Sequence, residues 1–224
     1  MITLKEWESM SGKYKSLWLE ENLRPNIREA RRKPLHGVGV NDASYCTQVR
    51  IDGRYIRCPA YTAWSDMLKR AYSNKLHEAH PSYIGVKVCN GWHSFMEFRR
   101  WWLGHHVDGW QLDKDILSSC RMYSPETCLF VPSWLNNFIM DRGADRGEWP
   151  IGAHFDKRRG KFMALCSNCE IGCREYLGYF DTPEAAHLAW RTRKLELALE
   201  LKPKMDSLDL RIYPRVVEII NNAK

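Results

Sequence analysis

Apolar residues recur along the chain with two different spacings, and the alternation of these spacings predicts a mixed α+β fold. Helical spacing first appears near the N-terminus, with a bend expected at Ser11-Gly12; its apolar positions are Leu4, Trp7, Met10, Tyr14, Leu17 and Trp18. Similar spacing predicts helices over residues 62–72, 95–102 and 185–201, and a shorter one over 213–220. Runs of β-branched and aromatic residues predict strands between these helices.

Two early segments sharpen this pattern. Residues 45–56 predict a hairpin whose strands flank the Asp52-Gly53 turn. In the helix after it, Lys69 and Arg70 are expected to face solvent, and the inner face is expected to hold Trp64, Met67, Leu68 and Ala71. Upstream, a basic cluster suited to DNA phosphates, but equally typical of a solvated helix face, comprises Arg28, Arg31, Arg32 and Lys33.

Residues 111–140 read as strand, loop, strand and helix. The first strand is expected to run from Gln111 to Ile116, so that the charged triplet Asp113-Lys114-Asp115 sits between Leu112 and Ile116. The second strand is Leu129 to Val131, and Pro132 ends it. Ser133 can cap a helix that spans residues 134–140. A hairpin followed by a helix is the order of a ββα unit.

The motif in this segment resembles that of the HNH endonucleases, in the phage branch. The matching text is Leu112-Asp113-Lys114 followed by Tyr123-Ser124-Pro125-Glu126-Thr127-Cys128. The resemblance implies a ββα-metal fold in which Asp113 takes the metal-ligand position and Asn136 the third position in the helix. Lys114 stands where the family usually has its base His, and Thr127 stands at the central Asn that braces the loop.

The chemistry of phosphodiester hydrolysis gives each of these positions a role. A cation stabilises charge on the phosphate, and Asp113 and Asn136 offer the hard oxygen ligands that Mg²⁺ or Mn²⁺ prefers. A lysine between two aspartates keeps its proton, so we interpret Lys114 as a charge clamp on phosphate or on Asp115 rather than as the base. Substitute bases are Asp115 and the pair His105-His106. The alternative is an exposed strand that carries only an ion pair.

Composition favours a polyanionic partner. The chain has 224 residues, a net charge of +7 and a pI near 9.0, although a basic protein can also simply be soluble. No apolar run approaches the length of roughly 20 residues that spans a bilayer, and the N-terminus lacks a signal-peptide pattern. We therefore expect no membrane association and a cytoplasmic protein, in the bacterial host if a phage encodes it.

Eight cysteines invite a metal interpretation that the spacing supports only in part. Cys166 and Cys169 form a CxxC pair with Cys173 four residues later, which is compatible with structural zinc. A second CxxC pair is missing, and His154 and His187 fall on different predicted elements. The favoured interpretation is that the cysteines are reduced and mostly small apolar core residues.

Residues 149–202 predict a second module of three strands and one packed helix. Thr182 is placed as the N-cap of the helix and Pro183 at its first position. The sequence of this module resembles the ethylene-response-factor type DNA-binding domain of plants, which also occurs fused to HNH nucleases in phage. The matching residues are Gly152 to Arg159, Lys161-Phe162 with Ala164, and Leu177 to Ala186.

That resemblance implies a sheet that lies in the major groove of DNA. By position, the best DNA-contact candidates are Lys157, Arg158, Arg159, Lys161 and Arg174. Phe162 and Met163 replace the family's usual Trp-Arg style pair, so the target sequence does not carry over. The alternative is that the charges hold only phosphates, which gives affinity without specificity.

The expected organisation is therefore a basic helical lead-in (1–36), an HNH-like domain (37–140), a linker (141–148), the DNA-binding module (149–202) and a helical tail (203–224). The apolar residues of the tail can dock on the body or on a partner chain. We expect a metal-dependent DNA endonuclease, of the free-standing homing type found in phage, acting on double-stranded DNA. The alternatives are a DNA-binding protein with an inactive HNH site and a protein that modulates a host protein; a homodimer is also left open.

Overall fold

The computed structural model of the chain describes residues 2–23, 33–139 and 148–224, and its fold is mixed α+β. Two compact units divide the chain, Met1–Phe130 and Val131–Lys224. The predicted basic residues Arg28, Arg31 and Arg32, the helix end at Met140 and linker residues 141–147 lie outside the described residues. In the described ranges, no helix combines the length and the apolar composition needed to cross a membrane.

The first unit is built from short elements around an aromatic core. Its helices are α1 (Leu4–Ser9), α2 (Gly12–Asn22), α3 (Pro59–Tyr72), α4 (Asn74–Ala79) and α5 (Phe95–His105), with 3-10 turns at Pro81–Tyr83 and Asn90–His93. Its strands are β1 (Gln48–Ile51), β2 (Arg54–Arg57), β3 (Lys87–Val88), β4 (Gln111–Asp113), β5 (Met122–Tyr123) and β6 (Leu129–Val131), whose last residue begins the second unit. The described core includes Trp64, Trp102, Phe95 and Phe98, each fully buried.

Local sequence explains several of these elements. Asp52 and Gly53 both have positive φ angles, of 46° and 81°, and this conformation closes the β1–β2 hairpin at the predicted turn, with Ile51 opposite Arg54. The inner face predicted for α3 is confirmed, because Trp64, Met67 and Leu68 are fully buried.

Burial in the first unit departs from the simple hydrophobic pattern in α2 and at Arg70, where the predicted exposure is wrong. Tyr14 is 56 % exposed, and α2 turns Gly12, Ser16 and Leu19 to the core. The small Ser16 accepts hydrogen bonds from Cys58 Sγ (3.3 Å) and from Arg99 Nε (2.9 Å), which a larger side chain would prevent. Arg70 is half-buried rather than exposed, because its guanidinium pairs with the hydroxyl of Tyr123.

The second unit contains α6 (Ser133–Ile139), β7 (Ala153–Asp156), β8 (Lys161–Asn168), β9 (Cys173–Phe180), α7 (Pro183–Glu200), α8 (Lys202–Asp206) and α9 (Ile212–Asn222). Strands β7, β8 and β9 form an antiparallel sheet in that order. Helix α7 packs on one face of the sheet, where Ala153, Phe162 and Ala164 are buried with Ala186. Thr182 caps α7 by accepting from the Ala185 N–H (3.2 Å), as predicted.

The tail packs on its own unit. Ile212, Val216 and Ile220 are buried along one face of α9, and this helix packs against α7 and α6. The sequence left open whether the apolar residues of the tail dock on the body or on a partner chain. In the described residues the body covers them.

Candidate functional site

The charged triplet does not lie within a strand, because β4 ends at Asp113 and residues 114–117 form a bend. The predicted strand from Gln111 to Ile116 is therefore too long. Asp113 itself causes the bend, since its Oδ1 accepts from the backbone N–H groups of Asp115 and Ile116, each at 2.8 Å. The turn fixes the Asp113 carboxylate at the end of β4.

Burial decides the ionisation of Asp113. It raises the pKa of this carboxyl above its ordinary value, against the lowering effect of the two N–H donors and of Lys114. Burial also raises the pKa of the neighbouring Cys128 to about 12, so this thiol stays protonated near neutral pH. Asp113 and Cys128 thus share an environment that is largely shielded from water.

Lys114 is buried and already engaged. Only 6 % of its surface is exposed, its ammonium pairs with the Asp115 carboxylate, and Nζ lies 5.6 Å from the centroid of the Tyr123 ring. A carboxylate and an aromatic face are both attractive partners for a cation. These contacts agree with a clamp on Asp115 and do not suit a general base.

Thr127 closes the loop between β5 and β6. Its Oγ1 donates to the carbonyl of Met122 (2.7 Å) and accepts from the N–H of Ser124 (3.1 Å). One hydroxyl therefore bridges the two sides of the turn, which is the bracing that the resemblance assigns to an Asn at this position. β5 is also held by parallel pairing with β3, which the sequence did not predict.

The two histidines offered as substitute bases are held by α5. His106 stacks on Trp102, with centroids 4.1 Å apart, and its Nε2 lies 3.0 Å from Asp108 Oδ1. Burial lowers the pKa of His106 below its ordinary value, although Asp108 opposes this. His105 stacks on Trp101 and pairs with its carbonyl oxygen through Nδ1 (2.7 Å). No contact links either ring to Asp113 in the described residues.

The first unit's residues fit a hydrated divalent cation only weakly. Asp113 Oδ1 is taken by two N–H donors, and no described group donates to Oδ2. Mg²⁺ keeps several waters and often uses only one or two carboxylates, so a single oxygen is compatible with weak binding. Across residues 2–23, 33–139 and 148–224, no three His, Cys, Asp or Glu side chains are grouped to hold a metal. Asn136, the other predicted ligand, lies half-buried on α6 in the second unit.

The cysteines of the second unit are free thiols in different environments. Cys166 is buried, Cys169 is half-buried and Cys173 is exposed. Among the described residues, no three His, Cys, Asp or Glu side chains are grouped to hold a metal ion. Structural zinc therefore gains no support from these side chains.

The second unit presents a sheet face that α7 does not cover, and we call it the outer face. The registers place on it His154 of β7, the β8 residues Met163, Leu165 and Ser167, and the β9 residues Arg174, Tyr176 and Tyr179. Tyr176 is 57 % exposed and Arg174 is exposed. An irregularity between Ala164 and Leu165 shifts the pairing by one residue, which brings Tyr176 rather than Leu177 opposite Leu165.

A turn of residues 157–160, which joins β7 to β8, lies at one end of this face, and we call it the basic turn because it carries Lys157, Arg158 and Arg159. Its backbone is fixed by Asp156, whose Oδ1 accepts from the N–H groups of Arg158 (3.0 Å) and Arg159 (3.3 Å). Asp156 Oδ2 accepts from the hydroxyl of Tyr179 (2.9 Å), and the Arg159 guanidinium lies 4.7 Å from the centroid of the same ring. That hydroxyl is the main cause that lowers the pKa of Asp156, so the turn's anchor stays ionised.

The five residues predicted to contact DNA differ in whether their charged groups already pair with a carboxylate. Lys161 pairs with Asp181 (3.0 Å), and Arg159 lies 3.8 Å from Asp156. Lys157, Arg158 and Arg174 have exposed side chains and no carboxylate partner among the described residues. The sequence did not single out Tyr176 and Tyr179. Alternation along β9 would have placed Tyr176 on the face of Arg174, but it would have placed Tyr179 on the opposite face. The irregularity in the pairing returns Tyr179 to the outer face.

No family model, no curated protein and no solved structure matches the chain. The interpretations of both units therefore rest on the chain's own residues. The HNH-like and ethylene-response-factor-like resemblances therefore stay predictions of the sequence.

Proposed function

We propose that this protein binds double-stranded DNA through the outer face of the β7–β8–β9 sheet and the basic turn beside it. The observation that carries the proposal is the free charge of Lys157 and Arg158, which are exposed and unpaired among the described residues. Since Asp156 and Tyr179 already fix the turn's backbone, little ordering is required when these cations meet phosphates.

The position of Arg174 supports the same surface. It lies opposite Ser167, six residues before Phe180 on β9. Phe180 pairs with Phe162 at the start of β8, next to the basic turn. At the rise of a β-strand, six residues separate the two ends by about 20 Å. That span exceeds the roughly 12 Å width of the major groove, so cations at both ends can reach the phosphates on either side of it.

A salt titration tests this surface directly. Changing both Lys157 and Arg158 to Gln should weaken binding to unrelated duplexes to a similar extent, because phosphate contacts carry no sequence information. It should also reduce the slope of log K against log salt by about 2, near 0.9 for each lost phosphate contact. The measurement is fluorescence anisotropy of a labelled duplex across a series of salt concentrations.

The matched control is Lys204→Gln, which removes one exposed charge of the same unit that already pairs with Glu170. It should leave the salt slope nearly unchanged. If the double variant and the wild type show the same slope, the basic turn does not contact DNA and the proposal fails.

A second candidate function, metal-dependent DNA nicking, is favoured by the environment of Asp113. The carboxylate ends β4, a strand that pairs with β6, and α6 begins two residues after β6. Asp113 Oδ2 accepts no hydrogen bond among the described residues. Burial raises the Asp113 pKa, and a divalent cation at this oxygen would stabilise the ionised carboxylate against that effect. When bound, Mg²⁺ or Mn²⁺ would supply charge stabilisation at the scissile phosphate. We rank this activity second because Lys114 cannot serve as the base in the contacts it makes.

Supercoiled plasmid distinguishes the two candidates. In Mg²⁺ or Mn²⁺ the wild type should convert supercoiled DNA to open circles, since one such site cuts one strand. Asp113→Asn should abolish this conversion, because it removes the charged ligand but keeps an oxygen for the N–H groups of Asp115 and Ile116. Equal nicking by both proteins would exclude Asp113 as the metal ligand. Unchanged DNA with both proteins, each still binding duplex, would leave DNA binding as the function.

A further inference from the structure

Lys194 is a charged residue on the buried face of α7. The same face carries Trp190 one turn earlier and Leu197 three residues later, and only 6 % of Lys194 is exposed. Lysine is almost never buried to this extent without a partner. Its surroundings therefore call for an explanation that packing alone does not give.

The described residues offer the Lys194 ammonium no carboxylate and no hydrogen-bond acceptor. Its Nζ lies over the ring of Phe138, 3.7 Å from the ring centroid. The thiols of Cys166 and Cys169 also lie within electrostatic range, but burial raises the pKa of both, that of Cys166 to about 11, so neither is an anion near neutral pH. Nζ is not among the fully buried side-chain atoms that lack a hydrogen-bond partner, so the ammonium keeps an open side. One aromatic face replaces only part of the hydration that the other sides have lost.

A cavity of ≈ 670 Å³ lies against this lysine, within the second unit. Its wall is mixed: polar side chains, among them Asn137 and Asn168, alternate with an apolar part formed by Trp134, Phe138, Trp190 and Ile220. Arg174 adds a second cation to the lining, and no Asp or Glu belongs to it among the described residues. The volume falls in the range of pockets that bury a small organic molecule, roughly 300–1,000 Å³.

We propose that this cavity binds a small organic anion with a flat apolar body, whose carboxylate, or an equivalent acidic group, pairs with Lys194. The anion supplies the partner that the ammonium lacks, and the apolar body occupies the space between Phe138 and the two tryptophans. An inorganic anion alone would leave most of that apolar wall in contact with water. The inference does not depend on DNA binding, since Lys194 is not among the residues proposed to contact DNA, and Lys157 and Arg158 do not line the cavity. Arg174 alone is shared by the cavity lining and the proposed DNA surface.

Calorimetric titration of the full-length protein with 2-naphthoate tests the proposal, and 2-naphthylmethanol serves as the neutral ligand of similar shape. The wild type should bind naphthoate saturably at one site, roughly tenfold to a hundredfold more tightly than the alcohol. Lys194→Met keeps the side chain's volume and removes its charge. It should weaken naphthoate by a similar factor and leave the alcohol unchanged.

Lys204→Met is the matched control, because Lys204 is exposed in the same unit and does not line the cavity. It should bind naphthoate as the wild type does. Three results would overturn the proposal: no saturable naphthoate binding, equal wild-type affinity for acid and alcohol, or wild-type affinity in Lys194→Met. The second of these needs no variant, so the proposal stays testable even if Lys194→Met does not fold.

Discussion

Single side chains fix the backbone in both units, and Asp113 is the clearest case. Its Oδ1 accepts two backbone N–H bonds, so Asp113→Ala should leave two donors without an intramolecular partner and lower the free energy of unfolding by about 1–3 kcal/mol. Asp113→Asn retains an acceptor and should change it by less than about 1 kcal/mol. Urea unfolding of the three proteins measures the difference. Equal loss in Ala and Asn would mean that the charge, not the turn, matters for stability.

Residue-level prediction from the sequence succeeded where local rules apply. Thr182 as an N-cap and Asp52-Gly53 as a hairpin turn follow from the backbone preferences of those residue types. The same rules missed Lys194 and Arg70, because the burial of a charged side chain depends on which distant elements surround it. The predicted strand was extended through Asp113 because an Asx-type turn leaves little trace in the hydrophobic pattern.

At the scale of elements, the approach of β7 to α7 depends on Gly152. Its φ of +88° disfavours other residues, and an added Cβ would lie 2.3 Å from Trp190 Cβ. Gly152→Ala should therefore lower the free energy of unfolding by about 3 kcal/mol or more, through both strain and overlap.

Gly160 provides the matched comparison. Its φ is +63°, but nothing lies within 4 Å of an added Cβ, so Gly160→Ala should lower the free energy of unfolding by only about 1 kcal/mol. Chemical denaturation of both variants separates overlap from backbone strain. Similar losses in the two variants would show that Trp190 moves aside.

The β9–α7 contact should make stability depend on acid. Hydrogen bonds from Arg193, and then from Asn168, lower the pKa of Glu175 to about 2. A carboxyl whose folded pKa lies below its unfolded value of about 4.5 stabilises the fold above that value, and this contribution is lost as the pH falls from 4.5 towards 2.

Melting temperatures of the wild type and Glu175→Gln across this pH interval provide the measurement. The Gln variant should melt lower than the wild type near pH 6, and the difference should shrink as the pH falls towards 2. A difference that stays constant with pH would mean that ionisation of Glu175 does not contribute.

Element boundaries were predictable in the second unit and less so in the first. β8, β9 and α7 have long, regular patterns, and their order was predicted. In the first unit, β3 and β5 are two residues each and pair in parallel over a separation of about 35 residues, and such contacts have no local signal. The buried face of α2 also has no clear signal in the hydrophobic pattern, because Ser16, a polar residue, lies on it and bonds to Arg99.

On the scale of the whole molecule, a net charge of +7 is compatible with many basic proteins. The exposed cations without a carboxylate partner, Lys157, Arg158 and Arg174, locate the proposed DNA surface on the second unit. The residues proposed for binding lie in the second unit, and Asp113 lies in the first. The two proposed activities should therefore separate. Asp113→Asn should keep the wild-type DNA affinity and salt slope, and the Lys157, Arg158 double variant should lose affinity with or without divalent metal.

The contacts of Ser16 determine how far the N-terminus of the protein can be truncated without loss of folding. Arg99 is almost completely buried, and its hydrogen-bond partners in α2 are the hydroxyl and carbonyl of Ser16 and the carboxylate of Glu20. A shortened version that begins after Leu23 would lose every one of these acceptors and also the buried Trp7 and Leu19. The first two helices therefore belong to the minimal folding segment, and fusion tags or crystallisation truncations should leave them intact.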